Sequence, residues 1–319
     1  MKLDVVDGIQ FLAFELKFLY WYHYPLKSMP ENFSPEKLAK LDLCFCSSLT
    51  KLTSNSHSPN FSDLNLQDYM NLREFLLISD NMKVLKLQWT KVKALSSSFE
   101  HHRKLKWLHL KGSHFERLPS LINNLIQQQH LHAISCRELQ TIPELPLFIE
   151  TLYADSCTSL QTLLEFPPSL KTLNIKKCRS LQTLPEILLF LETLDVAYGT
   201  SLKTLLGLPP FLKTQNTGEC KSLQSLTELP LFLKTLKPPL FLETLNATSF
   251  KSLNIVLFPS TVVEQLKENK KLILFWNWSN LNEHSLVEFE LNAQINVMKF
   301  ASQHLSMRII EYCVVPSYA

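Results

Sequence analysis

The sequence predicts an α/β solenoid, a stack of short units that each add one strand to a parallel sheet. Three observations predict it. Anchor leucines recur every 21 residues, at Leu131, Leu152, Leu173 and Leu194. In each unit the anchor and a second apolar residue alternate with period 2, which places both on one face of a strand. A cysteine keeps the same step, which is typical of stacked supersecondary units.

The unit is L-x-x-L-x-L-x-x-C-x-x-L-x-x-L-P, complete between Leu170 and Pro185. The first part forms the strand, and the cysteine ends it where a small side chain turns inward to meet backbone groups. The later leucines fill the core, while prolines keep the returning limb from pairing as a strand or coiling as a long helix. We therefore expect a leucine-rich-repeat horseshoe, with a short parallel strand per repeat on the concave face and irregular or short helical return limbs.

Less regular anchors extend the pattern towards the N-terminus at spacings of 21 to 23, at Leu19, Leu41, Leu64, Leu85 and Leu108. The predicted organisation is a lead-in at 1–15, about eleven repeats at 16–258, a helix-strand-helix cap at 259–306 and a tail at 307–319.

The repeats are irregular near 215–245. Gln215 and Thr217 replace inward apolar residues, and the anchor Leu236 is followed by a second PLFLETL nine residues later. One strand cannot occupy both frames. We expect Leu245 to keep the stack because it leads into the cap.

Composition limits the classes of function. Thirty-two basic and 29 acidic residues are interleaved with a net charge of +3, so nucleic acid is not an expected partner. No signal-peptide pattern and no apolar run of about 20 residues is present. We therefore expect a cytoplasmic or nuclear location without membrane contact. In that location the cysteines are reduced, and the four N-x-S/T sequons are accidental. With five glycines and no phosphate-binding loop motif, no cofactor is expected.

The candidate protein-binding residues lie between or just beyond the core leucines, where side chains face outward. Aromatic and basic groups of the kind enriched at binding hot spots gather in the middle repeats. They are Trp89, Trp107, His109, His130, His132, Tyr153, Asp155 and Lys176. The alternative is that these are ordinary exposed strand positions, filled by good strand formers. If the histidines contribute, binding should change between pH 5 and 7.

Two columns of equivalent residues are interpreted as structural. Thr151, Thr172, Thr193, Thr214, Thr235 and Thr244 form a threonine ladder. Cys136, Cys157, Cys178 and Cys220 form a ladder of buried thiols, and Cys44 and Cys46 are interpreted likewise. Zinc requires four converging ligands, whereas residues one repeat apart form a straight row, so no metal site is expected there. The pattern places no carboxylate beside the histidines, which favours exposed polar residues over metal ligands.

Two segments resemble a known family. ELKFLYWYHYPLKSMPENFSPEKL, from Glu15, resembles the start of the repeat region in plant toll/interleukin-receptor-type nucleotide-binding leucine-rich-repeat disease-resistance proteins. FPSTVVEQLKENKKLILFWNWSNLNEHSL, from Phe258, resembles the segment that closes the repeats in legume members. The likeness runs from about Gly8 to Ser306. The family's signalling and nucleotide-binding motifs have no counterpart here, so the resemblance implies ligand sensing and autoinhibitory contact without NAD cleavage or nucleotide binding.

The resulting hypothesis is a protein-interaction module of plant innate immunity. Its expected partner is a pathogen effector, a host target or a longer receptor's own domains, bound through the concave face. The alternative is a degenerate receptor fragment or decoy with no ligand of its own. An enzyme with a small-molecule substrate is disfavoured, because no nucleophile–base pair or metal constellation was found.

Overall fold

The computed structural model describes residues 16–27, 29, 37–49, 62–73, 75, 79–95, 97–185, 190–205, 209 and 211–223, and four short strands beyond them. The chain divides into two compact units, residues 1–158 and 159–319. Each unit is taken by itself below.

The first unit is built on a parallel sheet of three-residue strands, one per repeat. The strands of the unit are β1 (Phe18–Tyr20), β2 (Lys40–Asp42), β3 (Asp63–Asn65), β4 (Val84–Lys86), β5 (Trp107–His109), β6 (His130–His132), β7 (Thr141–Ile142) and β8 (Thr151–Tyr153). The two-residue strand β7 lies on a return limb and is not part of this sheet. β1 to β6 pair in chain order, and β6 pairs with β8. Two return limbs carry short 3-10 helices, Ser97–His101 and Ser120–Asn124, so the limbs are irregular or briefly helical, as the sequence predicts.

The second unit repeats the plan. Its strands are β9 (Thr162–Leu163), β10 (Thr172–Asn174), β11 (Thr193–Asp195), β12 (Thr204–Leu205), β13 (Thr214–Asn216), β14 (Ser225–Leu226), β15 (Thr244–Thr248), β16 (Ile255–Val256) and β17 (Leu272–Trp276). The main sheet runs β10-β11-β13-β15-β17, and the return limbs contribute a smaller sheet, β12-β14-β16. All pairs are parallel.

The anchor leucines set the register throughout. In the first unit each anchor from Leu19 to Leu152 is the middle residue of its strand and pairs with the next anchor. In the second unit Leu173 pairs with Leu194. Leu173 and Ile175 are buried while Asn174 between them is half-exposed, which confirms the predicted period-2 register. The threonines of β10, β11, β13 and β15 also pair as a ladder; Thr235 lies outside the described residues.

Strands β1–β6, β8, β10, β11 and β13 are each followed by a residue in the left-handed region. In the β6 repeat the Cys136 N–H donates to the Ala133 carbonyl, and Ser135 has a φ of 57°. Ile134 keeps a negative φ, so the turn is type II. The equivalent residue recurs repeat after repeat, mostly without glycine, at His23, Phe45, Asp68, Trp89, Gly112, Ser156, Lys177, Tyr198 and Glu219.

The predicted irregularity begins at β13. Gln215 takes the anchor position, is fully buried, and its amide makes no hydrogen bond in the described part of the chain. β13 pairs next with β15, so Gln215 lies opposite Leu245. The prediction that Leu245 keeps the stack is therefore confirmed, while Leu236 lies outside the described residues.

At the chain ends, few predicted elements fall on described residues. The strand expected in the cap is present as β17, whereas the two helices of the cap, the tail and the lead-in lie outside them. Across the described ranges, no helix has both the length and the hydropathy to cross a membrane.

Candidate functional site

The sheet of the first unit exposes one face, here called the sheet face, formed by the first and third residues of each strand. On β5, β6 and β8 this face carries a cluster of aromatic rings: Trp107, His109, His130, His132 and Tyr153. The middle residue of each of these three strands is a buried leucine. Because successive strands bring equivalent positions about 4.8 Å apart, residues distant in sequence become neighbouring rings.

The rings of this cluster contact one another from strand to strand. Trp107 stacks on His130 with centroids 3.6 Å apart, and His109 meets His132 edge-on at 4.6 Å. His132 in turn meets Tyr153 edge-on at 4.9 Å. Trp107 remains 36% exposed, so the cluster has both internal order and open aromatic surface.

The pKa values of the three imidazoles of the cluster are lowered, which favours their neutral forms. Burial, the neighbouring His132 and the charge of Lys86 lower the pKa of His109 to about 4. Burial also lowers the pKa of His130 and of His132. The sequence-based expectation of titration between pH 5 and 7 is therefore wrong for His109, because neighbouring rings and a lysine disfavour its charged form.

The other three predicted binding residues lie around or away from the cluster. Trp89 is exposed in the turn after β4, with its ring over Gly112 and the Lys111 ammonium 6.0 Å from its centroid. Asp155 is half-exposed just beyond β8. Lys176 belongs to the second unit, where its ammonium lies 5.7 Å from the Tyr198 ring centroid.

A column of side-chain caps, missed by the sequence reasoning, runs along the third strand position. In five repeats an aspartate or asparagine there accepts a hydrogen bond from the N–H two residues later, at 3.0–3.3 Å. The acceptors are Asp42, Asn65, Asn174, Asp195 and Asn216. Such caps satisfy backbone donors that the ladder leaves unpaired.

The cap column is interrupted at the ring cluster. From β4 to β8 the third strand position holds Lys86, His109, His132 and Tyr153 instead. The sequence did contain a signal for these caps, because Asp or Asn recurs at the third strand position of several repeats. The capping Asp or Asn is therefore absent from the repeats that carry the aromatic cluster.

The cysteine column is buried, and its thiols contact main-chain carbonyls of the preceding repeat. Cys136 donates to the Leu110 carbonyl at 3.0 Å and Cys157 to the Ala133 carbonyl at 2.9 Å. In the second unit Cys220 donates to the Val196 carbonyl at 3.1 Å, and burial raises its pKa to about 12. Cys178, Cys44 and Cys46 are likewise buried free thiols.

The six described thiols are all buried. The pKa of Cys44 is raised to about 12 by burial, whereas a hydrogen bond with Cys157 lowers that of Cys136 against the effect of burial. Cys136 itself is 1% exposed, so no substrate reaches its sulfur. Among the described residues, no three His, Cys, Asp or Glu side chains form a group able to hold a metal ion.

Comparison with known proteins gives relatives in plant defence. No family model matches the chain. It is 25% identical over 190 residues to the disease resistance protein RPS4B of Arabidopsis thaliana, covering 45% of this chain and 16% of that protein. It is 28% identical over 196 residues to RPP2A of the same plant, covering 46% and 15%. These homologues are toll/interleukin-receptor-type nucleotide-binding leucine-rich-repeat proteins, and the chain spans about one sixth of their length.

Solved structures agree on the fold. The leucine-rich effector YopM of Yersinia pestis aligns with a TM-score of 0.50 at 20% identity, covering 84% of this chain and 80% of that one. At this identity the similarity establishes a leucine-rich-repeat fold and nothing about ligands.

Proposed function

From the chain's relationship to the repeat regions of plant disease-resistance proteins, we propose that it is a protein-interaction module of plant defence. The ring cluster on the sheet face of the first unit is the centre of its recognition surface. The partner is a pathogen effector, a host protein or a domain of a longer receptor. The observation that carries the proposal is the continuous contact of five rings across three strands.

The chemistry of the cluster suits protein recognition. Trp and Tyr give large contact areas and are over-represented among residues that dominate binding energy. Because the rings already contact one another, little side-chain freedom is lost when a partner covers them. Neutral imidazoles add donors and acceptors without the desolvation penalty of a buried charge.

The same features disfavour catalysis. Leucine-rich-repeat solenoids typically act as non-catalytic scaffolds. The pKa of each cluster histidine is lowered, that of His109 to about 4, which makes these imidazoles weaker bases for proton transfer.

The test is capture followed by titration. The full chain, tagged, is used to capture proteins from plant extract, and each captured protein is purified and titrated calorimetrically. We expect the double substitution Trp107→Ala/Tyr153→Ala to weaken binding by about 100-fold or more, as for hot-spot residues of ~2–4 kcal/mol, with an unchanged circular dichroism spectrum. The matched control is Phe190→Ala/Phe211→Ala, which removes two exposed, mutually stacked rings on the return limbs of the second unit. Equal binding by both double variants would refute the site.

A degenerate fragment or decoy without its own ligand is the second candidate. The observation that favours it is the buried, unbonded Gln215 amide, a defect that selection for a stable scaffold would remove. Under this alternative, no purified protein binds the wild-type chain more tightly than the Trp107→Ala/Tyr153→Ala variant.

A further inference from the structure

Three backbone N–H groups at the interruption of the cap column lack the acceptor that the repeats of β2, β3, β10, β11 and β13 provide. In the capped repeats, the N–H two residues after the third strand position donates to an Asp or Asn oxygen. The equivalent groups after β4, β5 and β6 belong to Gln88, Lys111 and Ile134. Within the described ranges none of these three N–H groups donates a hydrogen bond. All three residues are half-exposed, so these donors are open to an acceptor from outside the chain; buried main-chain donors nearly always have one.

The position of the missing acceptor follows from the repeats that have one. There a carboxylate or amide oxygen, carried on a side chain of the sheet face, lies 3.0–3.3 Å from the N–H. Because the strands keep one register, the donors of Lys111 and Ile134 face the same space at the ends of β5 and β6. An oxygen from outside the chain can take the position of the capping oxygen only if the side chains at the third strand position do not fill it.

His109 and His132 occupy those third positions, and their rings are directed into the cluster. They contact each other edge-on at 4.6 Å, and His132 also contacts Tyr153. The Nε2 atom of His132 is buried and makes no hydrogen bond in the described part of the chain. Because this atom is buried, a group from outside the chain does not reach it, which leaves the main-chain N–H groups as the donors of the site.

The charges around this space favour an anion. Lys86 and Lys111 lie at the ends of β4 and β5, and the charge of Lys86 reaches His109 strongly enough to lower its pKa. The chain's own carboxylates near the cluster are those of Asp155, half-exposed one repeat further on after β8, and of Glu150, whose charge acts on His130. A carboxylate accepting from main-chain N–H groups forms charge-assisted hydrogen bonds, which are stronger than neutral ones.

We propose that the sheet face at the ends of β5 and β6 is a carboxylate-binding site that takes an acidic side chain of a partner protein. The N–H groups of Lys111 and Ile134 are its donors. The acidic side chain replaces the Asp or Asn oxygen of the capped repeats, and the neighbouring ring cluster covers the rest of the contact. The inference rests on the proposed function, because it names the chemistry of the partner group bound at that surface.

The probe is the capped peptide acetyl-Gly-Glu-Gly-amide, titrated into the full isotope-labelled chain and followed by amide NMR signals. We expect saturable shifts of the Lys111 and Ile134 amides with this peptide and none with acetyl-Gly-Gln-Gly-amide at equal ionic strength. Equal responses to the two peptides, or no saturable shift, would overturn the proposal.

A matched pair of variants isolates the main-chain donor. Ile134→Pro deletes the N–H, and proline suits the first central position of a type II turn. Ile134→Ala removes the same side chain but keeps the N–H. We expect Ile134→Pro to weaken peptide binding about ten-fold or more, and Ile134→Ala to change it little. Similar weakening in both variants would mean that the N–H is not a ligand.

A second variant covers the case in which the proline disturbs folding. His109→Asn/His132→Asn restores the cap of the other repeats, so the chain's own amide oxygens fill the site. We expect an equal or higher thermal midpoint together with loss of peptide binding, and retained binding would contradict the proposal.

The two proposals fail separately. If Trp107→Ala/Tyr153→Ala leaves partner capture intact, the proposed function fails while peptide binding stands; if capture depends on the rings but the glutamate peptide does not bind, only the carboxylate site fails.

Discussion

At the scale of single residues, the turn after β5 imposes a clear steric constraint. Gly112 has a φ of 68°, and the Trp89 ring lies where a side chain at that position would be. A Cβ added there would be 2.1 Å from the Trp89 Cε3 atom. The Trp89 ring can therefore take this position only because residue 112, in the next repeat, is glycine.

Gly112→Ala is therefore expected to lower the free energy of unfolding by about 1–3 kcal/mol, the usual penalty for overpacking. In a Trp89→Ala background the penalty should shrink to the strain of alanine at positive φ, which a double-mutant cycle in urea measures. Ser135→Ala is the control, because Ser135 holds the same turn position with a side chain already present. Equal penalties in both backgrounds would show that Trp89 is not the obstacle.

The lowered histidine pKa values predict acid sensitivity. Between pH 6.5 and about 4 the unfolded chain protonates His109 while the folded chain does not. The free energy of unfolding is therefore unaffected by this group above pH 6.5 and falls as the pH drops through that window. Urea midpoints from pH 7 to 4.5 should decline less steeply for His109→Gln than for wild type. His101→Gln, which alters an exposed histidine away from the sheet face, should keep the wild-type slope; identical slopes in all three proteins would contradict the assignment.

At the scale of strands, the register was predictable and the caps were not. The spacing of the leucines determines which residues face the core, because the side-chain period of a strand is two, and it correctly placed Asn174 between buried Leu173 and Ile175. The ring cluster followed from the same rule at Trp107 and His130. The caps at Asn174 and Asp195 depend on a side chain bending to its own backbone, which the hydrophobic period does not encode. The low pKa of His109 depends on burial by neighbouring strands, which appears only after folding.

Gln215 in β13 is the weakest strand position among the described residues. Its amide is buried without a hydrogen bond where the equivalent residue of β11 is leucine. Gln215→Leu should raise the free energy of unfolding of the second unit by about 1–3 kcal/mol, by removing an unsatisfied polar group. The control Gln161→Leu lies at an exposed position and should change stability by no more than ~0.5 kcal/mol. No gain in the first variant would imply that the amide finds a partner in solution.

At the scale of the whole molecule, a repeat stack distributes its stability along the chain. Each repeat contacts mainly its neighbours, so a weak unit lowers the protection of the interface beside it without unfolding distant repeats. The ring cluster lies in the first unit and Gln215 in the second, and each can be probed within its own unit. The Gln215 defect and the binding surface are therefore separable by experiment, which is needed to decide between an active module and a degenerate fragment.

Hydrogen exchange should reveal the weak unit directly. The N–H groups of Ile175 and Lys177 donate to the β11 repeat, at Asp195 and Ala197, while those of Val196 and Tyr198 donate to the β13 repeat, at Asn216 and Gly218. All four bonds are 2.7–2.8 Å long, so bond length gives no reason for different exchange. Because Gln215 weakens the β13 repeat, we expect Val196 and Tyr198 to exchange faster than Ile175 and Lys177. Gln215→Leu should slow the faster pair by about ten-fold per ~1.4 kcal/mol gained and leave the slower pair nearly unchanged. Equal protection of both pairs in the wild-type chain would mean that the packing around Gln215 compensates for its unbonded amide.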